Sequence, residues 1–475
     1  MKTITFHSIP AKVYRGIAFF ACVWGMAAVL TSCENDNINP YDYAGGIQTD
    51  TIYVNPGSST FRTAVAEYPV GSIVWSHDTT LTESMEVPVG RSLYIEPGVT
   101  VTCAASAKVP VELVVLGNLY CMGTSEKPVT FKSDNGRPAD WGGIICGFNS
   151  EEVVLNHVDI SDGGATPTEA SLSFQNKLFK TTIDGGVPAF HFCNVDGKFV
   201  IANSFFHSNY NDQTYFTGGN GVIYHNIFAD SGNAADGGEA INVKAGCNLD
   251  IAYNLIYNAC TNAFKLSDAG TSEAIKESQL RIYNNTVADC GWRRSKNKKG
   301  GSIWLEKGIY GIFVNNLIYD CRYGIRQPKK DGANLEKSTL TPNYYFASTE
   351  DGVKQMAKDY SLIIYYDSDI HSATAGGSNP LLTRFEQNSK MNINCEVDDV
   401  ELGAPLAWNA IWDFHLQDGS PALNGGFINF KRIFENGLAM LGMKKVTFLD
   451  SGNDQNYYYS CPAPSNYFGA FGQKN

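Results

Sequence analysis

The sequence lacks the short motifs of the common enzyme classes. It contains no Gly-rich phosphate loop, no nucleophile elbow and no paired histidines in metalloprotease spacing. Its 12 cysteines include no Cys-x-x-Cys pair, so we expect no transition-metal centre. Basic residues are also scarce, with 36 Lys and Arg against 48 Asp and Glu. This acidic balance argues against nucleic acid or anionic lipid as the main partner.

One long apolar run lies near the N-terminus. It extends from Gly16 to Leu30 without a charge and follows Lys2, Lys12 and Arg15. A basic front, a short apolar run and small residues behind it are typical of a secretory signal rather than a membrane span. The sequence therefore predicts export.

The four residues that follow, Leu30-Thr31-Ser32-Cys33, resemble the bacterial lipoprotein box. The resemblance implies cleavage before Cys33 and acylation of its thiol, which makes residues 1–32 a signal peptide. More than one acyl chain gives firm anchoring. We expect this lipid to be the protein's only contact with the membrane. Glu34 and Asp36 resemble the acidic tag of lipoproteins sent to the cell surface. We expect an outer-membrane, surface-exposed protein with a flexible tether over residues 33–52.

A short β-rich phrase recurs in the middle of the chain, each time around an asparagine. The five asparagines are Asn203, Asn226, Asn254, Asn285 and Asn316. An apolar residue stands three positions before each of them and another two positions after it. Successive phrases are about 20 to 30 residues apart, which is the length of one coil of a solenoid. The pattern predicts a parallel β-helix in which the asparagines stack as an amide ladder at a turn.

Several longer phrases resemble secreted right-handed β-helix proteins of the pectate-lyase-like superfamily. They read VELVVLGNLYCMGTSEKPVTFKS, ADWGGIICG, FHLQDGSPALNGG and NYFGAFG. The resemblance implies an all-β, right-handed parallel β-helix over residues 53–475. We expect an irregular portion at 327–412, with a short helix near 350–360, and a closing coil at 413–475. Cys290 and Cys321 occupy equivalent places on neighbouring coils, where we expect buried free thiols rather than a disulfide.

A candidate catalytic group lies in the phrases DGGEAINVKAG and NAFKL. Glu239, Lys244 and Lys265 resemble the motif of β-helix polysaccharide lyases, G-E-x-x-x-x-K followed by R-H-G one coil later. The resemblance implies Lys244 as base, Glu239 as a calcium ligand and Lys265 in the place of the arginine. The chain departs from that motif because Lys265 replaces Arg, no His-Gly follows it, and Gly237 stands where a second acidic ligand is expected. Calcium is therefore a cofactor only if the protein is a lyase, and no other cofactor is expected.

A second candidate is the basic segment RRSKNKK. It contains Arg293, Arg294, Lys296, Lys298 and Lys299 in a chain that is otherwise acidic. Such a segment is either a solvated loop tip or a grip for an anionic glycan.

Three functions remain open from the sequence. The leading one is recognition of an extended polysaccharide along a β-helix face, with glycan-import proteins as candidate partners. The second is a lyase or hydrolase acting on uronate-containing glycans through Glu239, Lys244 and Lys265. The third is an adhesin or structural spacer.

Overall fold

The computed structural model describes residues 66–178, 183, 185–232, 237–270, 275–294, 300–358, 378–385, 407–444, 447–448 and 457–474. The predicted signal peptide, Cys33 and the tether lie outside these residues, as do Lys296, Lys298 and Lys299. No helix in the described part of the chain is long and apolar enough to cross a membrane.

Three parallel sheets make up most of the described chain. The nine strands of the first sheet are Ile73–Trp75, Ser92–Ile95, Asn118–Met122, Glu152–Asn156, Lys198–Ala202, Gly219–Tyr224, Cys247–Ala252, Gln279–Tyr283 and Gly311–Val314. The ten strands of the second sheet are Thr79–Leu81, Thr100–Cys103, Val129–Ser133, Val158–Ser161, Phe205–His207, Ile227–Ala229, Leu255–Tyr257, Thr286–Ala288, Leu317–Tyr319 and Tyr344–Phe346. The eight strands of the third sheet are Met85–Val87, Leu113–Val115, Ile144–Cys146, Phe190–Phe192, Thr214–Phe216, Ile241–Val243, Asn262–Ser267 and Gly301–Glu306.

The remaining elements are short. The helices are α1 (Leu172–Gln175), α2 (Glu350–Met356) and α3 (Leu441–Lys444), with 3-10 turns at Leu335–Lys337 and Pro421–Leu423. Three small antiparallel pairs join Ala66–Glu67 to Thr447–Phe448, Leu382–Arg384 to Asp413–Leu416, and Leu438–Ala439 to Tyr458–Tyr459. The helix expected near residues 350–360 is α2, whose Met356 packs into the core.

Each coil passes through the first, second and third sheet in turn and then repeats one strand further along. Alternate side chains point into the space between the three sheets, because side-chain direction along a strand has a period of two. The inward residues are mostly Val, Ile, Leu and Phe, with some Cys and Ala, and they form one continuous buried cluster. The prediction of an all-β parallel β-helix with a short helix is confirmed.

The asparagine ladder lies at the turn between the first and second sheets. The side-chain nitrogen of Asn226 donates to the side-chain oxygen of Asn254 at 2.9 Å, and the same bond links Asn254 to Asn285 at 2.9 Å and Asn285 to Asn316 at 3.0 Å. All four side chains are buried. Each side-chain oxygen also accepts a hydrogen bond from the backbone N–H of the equivalent residue one coil earlier. For example, the Asn254 N–H donates to Asn285 Oδ1. The ladder therefore supplies hydrogen-bond acceptors to buried backbone N–H groups at the turn that have no partner within the strands.

The ladder differs from the prediction at both ends. Asn203 is not a member, because Ile201 pairs with Ile223 and places Ser204 opposite Asn226. Asn203 instead has a positive φ of 52°, a turn conformation that Asn tolerates better than most residues. At the other end Asn343 accepts from Asn316 at 3.0 Å and adds a further coil.

The cysteines in the described part of the chain are buried free thiols, as the sequence predicts for Cys290 and Cys321. Burial raises the pKa of the Cys321 thiol, and the neighbouring Cys290 adds to this effect. These thiols therefore act as small apolar side chains that fill the core.

Candidate functional site

Much of the outer faces of the first and second sheets is covered by the C-terminal part of the chain. Tyr120 and Val200 on the first sheet and Tyr257 on the second belong to one apolar cluster with Trp412 and Met440. The carboxylate of Glu152 fastens this cover by accepting the backbone N–H groups of residues 441 and 442. A polymer cannot lie along these two faces where the cover is in place.

The third sheet is covered at one end of its outer face. Val114 and Ile145 pack under Leu178 and Val187, in the segment that contains helix α1. From His191 onward, the outward side chains belong to none of the apolar clusters of described residues. We call this surface the open face. In strand order its central row consists of His191, Tyr215, Asn242, Lys265 and Trp304. His191 and Asn242 are buried within this row, and the other three side chains are half-buried.

Two buried carboxyl groups meet at one border of the open face. Asp212 accepts from the backbone N–H groups of Gly238 and Glu239 and from the side chain of Asn242 at 2.8 Å. Burial, the charge of Asp212 and a hydrogen bond with it raise the pKa of Glu239 to about 8, although Lys265 opposes the shift. Sequence reasoning missed Asp212, which enters from the preceding coil.

The two predicted lysines lie beside this carboxyl pair. The Lys265 ammonium is 3.8 Å from Glu239 Oε1, and the Lys244 ammonium lies 5.6 Å from the centre of the Tyr215 ring. Burial is the main cause that lowers the pKa of Lys244, and the positive charge of Lys265 is the next. Burial also opposes the charge of Lys265, but Glu239, Glu306 and Asp212 raise its pKa overall. The structure thus brings Glu239, Lys244 and Lys265 together at this border of the open face.

An aromatic and guanidinium stack forms the other end of the open face. Trp304 donates its indole N–H to Glu306 at 2.7 Å, and the Arg326 guanidinium lies 4.7 Å from the centre of the indole ring. Arg326 follows Trp304 in the same row through an isolated parallel bridge. Neither Trp304 nor Arg326 stands out in the sequence, because only strand register places them beside Lys265.

Only Arg293 and Arg294 of the basic segment are described, and they lie near the border of the same face. Its first residue, Arg293, donates to Asn258 Oδ1 and to the backbone oxygens of residues 231, 232 and 258. The prediction that Arg293 binds glycan is not supported by these contacts, because they hold its guanidinium within the fold. Arg294 is close enough to Lys265 for its charge to lower the pKa of that lysine. Arg294 remains a candidate residue for binding a glycan.

The oxygen atoms at the carboxyl pair fit the chemistry of a calcium site. Calcium prefers carboxylate and amide oxygens. Besides Asp212 and Glu239, the side-chain oxygens of Asn242 and Asn262 are buried and have no hydrogen-bond partner among the described residues. Asn262 lies one coil beyond Glu239. The backbone N–H of Ala240, the residue after Glu239, donates to the backbone oxygen of Asn262. These four residues would hold the ion, and Asp212 would supply the second acidic ligand in place of Gly237.

The comparison with known families agrees with this architecture. Residues 173–340 match the family model of the right-handed beta helix region. This range includes helix α1 from residue 173 onward, the carboxyl pair, both lysines and Trp304. The chain is therefore an all-β protein of the right-handed parallel β-helix class. No curated protein matches it.

Proposed function

We propose that this protein is an exported, lipid-anchored receptor that recognises an extended polysaccharide along the open face. One observation carries the proposal: the C-terminal cover and the helix α1 segment occupy much of the other outward surfaces, while the row from His191 to Trp304 stays outside every apolar cluster of the described chain. Aromatic rings and spaced polar groups on a rigid scaffold are typical of carbohydrate sites, since rings stack on sugars and polar groups orient them.

The charges of the open face favour an acidic polysaccharide. Two ammonium groups, Lys244 and Lys265, project from neighbouring coils in a chain with a net charge of −12. Positive charge at one place on an acidic protein steers anionic ligands to that place. Glu239, Glu306 and Asp212 lie near both ammonium groups and offset part of their charge. Attachment through Cys33 and a tether would keep this face in contact with glycans outside the cell.

The test is affinity gel electrophoresis of the full-length protein in detergent against neutral, uronate-containing and sulfated polysaccharides. We expect retardation by an acidic polymer. Lys265→Glu should abolish the retardation, because it reverses a charge in the centre of the open face. Lys337→Glu is the matched control. Lys337 is an exposed lysine outside this row, and its ammonium lies 3.2 Å from the Glu277 carboxylate. No retardation by any glycan, or equal effects of the two variants, would contradict the proposal.

A second candidate function is eliminative cleavage of a uronate polymer at the same face. It is favoured by the meeting of Lys244, Lys265 and the carboxyl pair and by the lowered pKa of Lys244. A lysine with a lowered pKa can take the proton from the carbon next to the uronate carboxyl group. The electron pair then forms a carbon–carbon double bond as the bond to the glycosidic oxygen breaks, and that oxygen takes a proton from the lysine or from water. Calcium, when bound, would neutralise that carboxylate.

The two candidates differ in one assay. A lyase releases unsaturated products whose ultraviolet absorbance grows with time, and Lys244→Ala should abolish it. A receptor retains the polymer and releases no such product. Cleavage that survives Lys244→Ala would contradict the lyase assignment of Lys244.

A further inference from the structure

Two aromatic rings stand on the central row of the open face with shorter or flexible side chains between them. Tyr215 and Trp304 are three coils apart, and Asn242 and Lys265 occupy the two positions in between. Neighbouring strands are roughly 4.8 Å apart, so the rings are separated by about 14 Å along the helix axis. We call the space between them the trough. Its length suits about two sugar rings.

Each ring is supported on the side that faces away from the trough. His191 meets Tyr215 edge-on at 5.7 Å between ring centres, and Arg326 lies 4.7 Å from the centre of Trp304. The indole N–H is also fixed by Glu306 at 2.7 Å. These contacts hold both rings in place, and a preorganised ring loses little entropy when a ligand stacks on it.

Both ammonium groups belong to the trough. Lys244 lies over the Tyr215 ring at 5.6 Å, and Lys265 occupies the row position next to Trp304. The side chain of Lys265 is 32% exposed, so its ammonium can reach a ligand in the trough as well as Glu239. The two ammonium groups are close enough to repel each other, and Glu239, Glu306 and Asp212 offset only part of their charge. An anion that contacts both ammonium groups would offset more of it. The site therefore favours a ligand with a negative group close to a sugar ring.

We propose that the trough is a subsite for about two rings of an acidic glycan, which stack on Tyr215 and Trp304 and place a carboxylate or sulfate group between Lys244 and Lys265. This inference rests on the proposed function and adds to it the length and charge of the recognised unit. Asn242 forms part of the floor, where its side-chain nitrogen donates to Asp212 at 2.8 Å.

The test is calorimetric titration of the full-length protein with mono-, di- and tetrasaccharides that carry uronate carboxylates, sulfate esters or no charge. Affinity should rise strongly from one ring to two and little from two to four. Trp304→Ala, Tyr215→Leu and Lys244→Met should each weaken disaccharide binding by about tenfold, as expected for contacts at the centre of a binding site. The carboxylate and sulfate series show which anion the trough accepts.

The chain offers a matched control for these variants. Lys337 lies 4.9 Å from the centre of the Tyr310 ring, the same ammonium–aromatic pairing outside the trough. Tyr310→Leu and Lys337→Met should leave affinity unchanged. Two results would overturn the inference: equal affinity for charged and uncharged disaccharides, or disaccharide binding that the trough variants do not weaken. In either case, retention of a polymer would still support the proposed function. Failure of every polymer to bind would instead overturn the proposed function.

Discussion

Replacing Asn285 with Leu should destabilise the β-helix through a small set of identifiable bonds. The Asn285 side chain accepts the Asn254 backbone N–H at 3.0 Å and the Asn254 side chain at 2.9 Å, and it donates to Asn316 Oδ1 at 3.0 Å. Leucine leaves the Asn254 N–H buried without an acceptor, which costs about 1–3 kcal/mol. The lost side-chain bonds bring the expected loss in unfolding free energy to about 3 kcal/mol.

Two further substitutions make this prediction specific. Asn285→Ser should cost less, because Ser204 occupies the equivalent position on an earlier coil and its hydroxyl accepts the Val158 N–H at 3.0 Å. Asn248→Leu should cost at most about 0.5 kcal/mol, as for most surface changes, because Asn248 is only half-buried where it donates to Asn220. Urea unfolding followed by circular dichroism measures all three. Equal midpoints for Asn285→Leu and the native protein would refute the assignment of the ladder to buried backbone.

Three other predictions follow from the described contacts and the N-terminal motif. Neither carboxyl oxygen of the buried Asp289 has a hydrogen-bond partner in the described part of the chain, and burial raises the pKa of this carboxyl group well above the usual range. Asp289→Asn should therefore raise the Tm at neutral pH. This advantage should shrink to nothing as the pH falls below about 4, where the native carboxyl is protonated in both folded and unfolded chains. Cys33→Ala should move the protein from the membrane to the soluble fraction without changing its Tm, and continued membrane retention would contradict the lipoprotein assignment. The lyase alternative predicts that calcium raises the Tm of the native protein but not of Asp212→Asn, and an equal shift in both would place calcium elsewhere.

The fold could be predicted from the repeat because each coil uses the same physical pattern. Apolar residues flank a turn asparagine, and only stacking of successive coils satisfies both features. The register of one coil could not be predicted, since Asn203 and Ser204 are adjacent polar residues and either could occupy the ladder position. Strand pairing between Ile201 and Ile223 decides the choice.

The candidate site was only partly predictable for a related reason. Glu239, Lys244 and Lys265 were found through a motif, which depends on local spacing. Asp212, Tyr215 and Trp304 join them across coils of unequal length, so their spacing in the sequence carries no signal. The open face itself depends on where the C-terminal segment packs, which is a property of the tertiary structure.

The most direct test of the account is a crystal structure of the protein with the tightest-binding acidic oligosaccharide from the calorimetric series. The account predicts sugar density on the third sheet, with a ring against Trp304 and an anionic group between Lys244 and Lys265. Sugar bound on the C-terminal cover, or elsewhere with the trough unchanged, would contradict it.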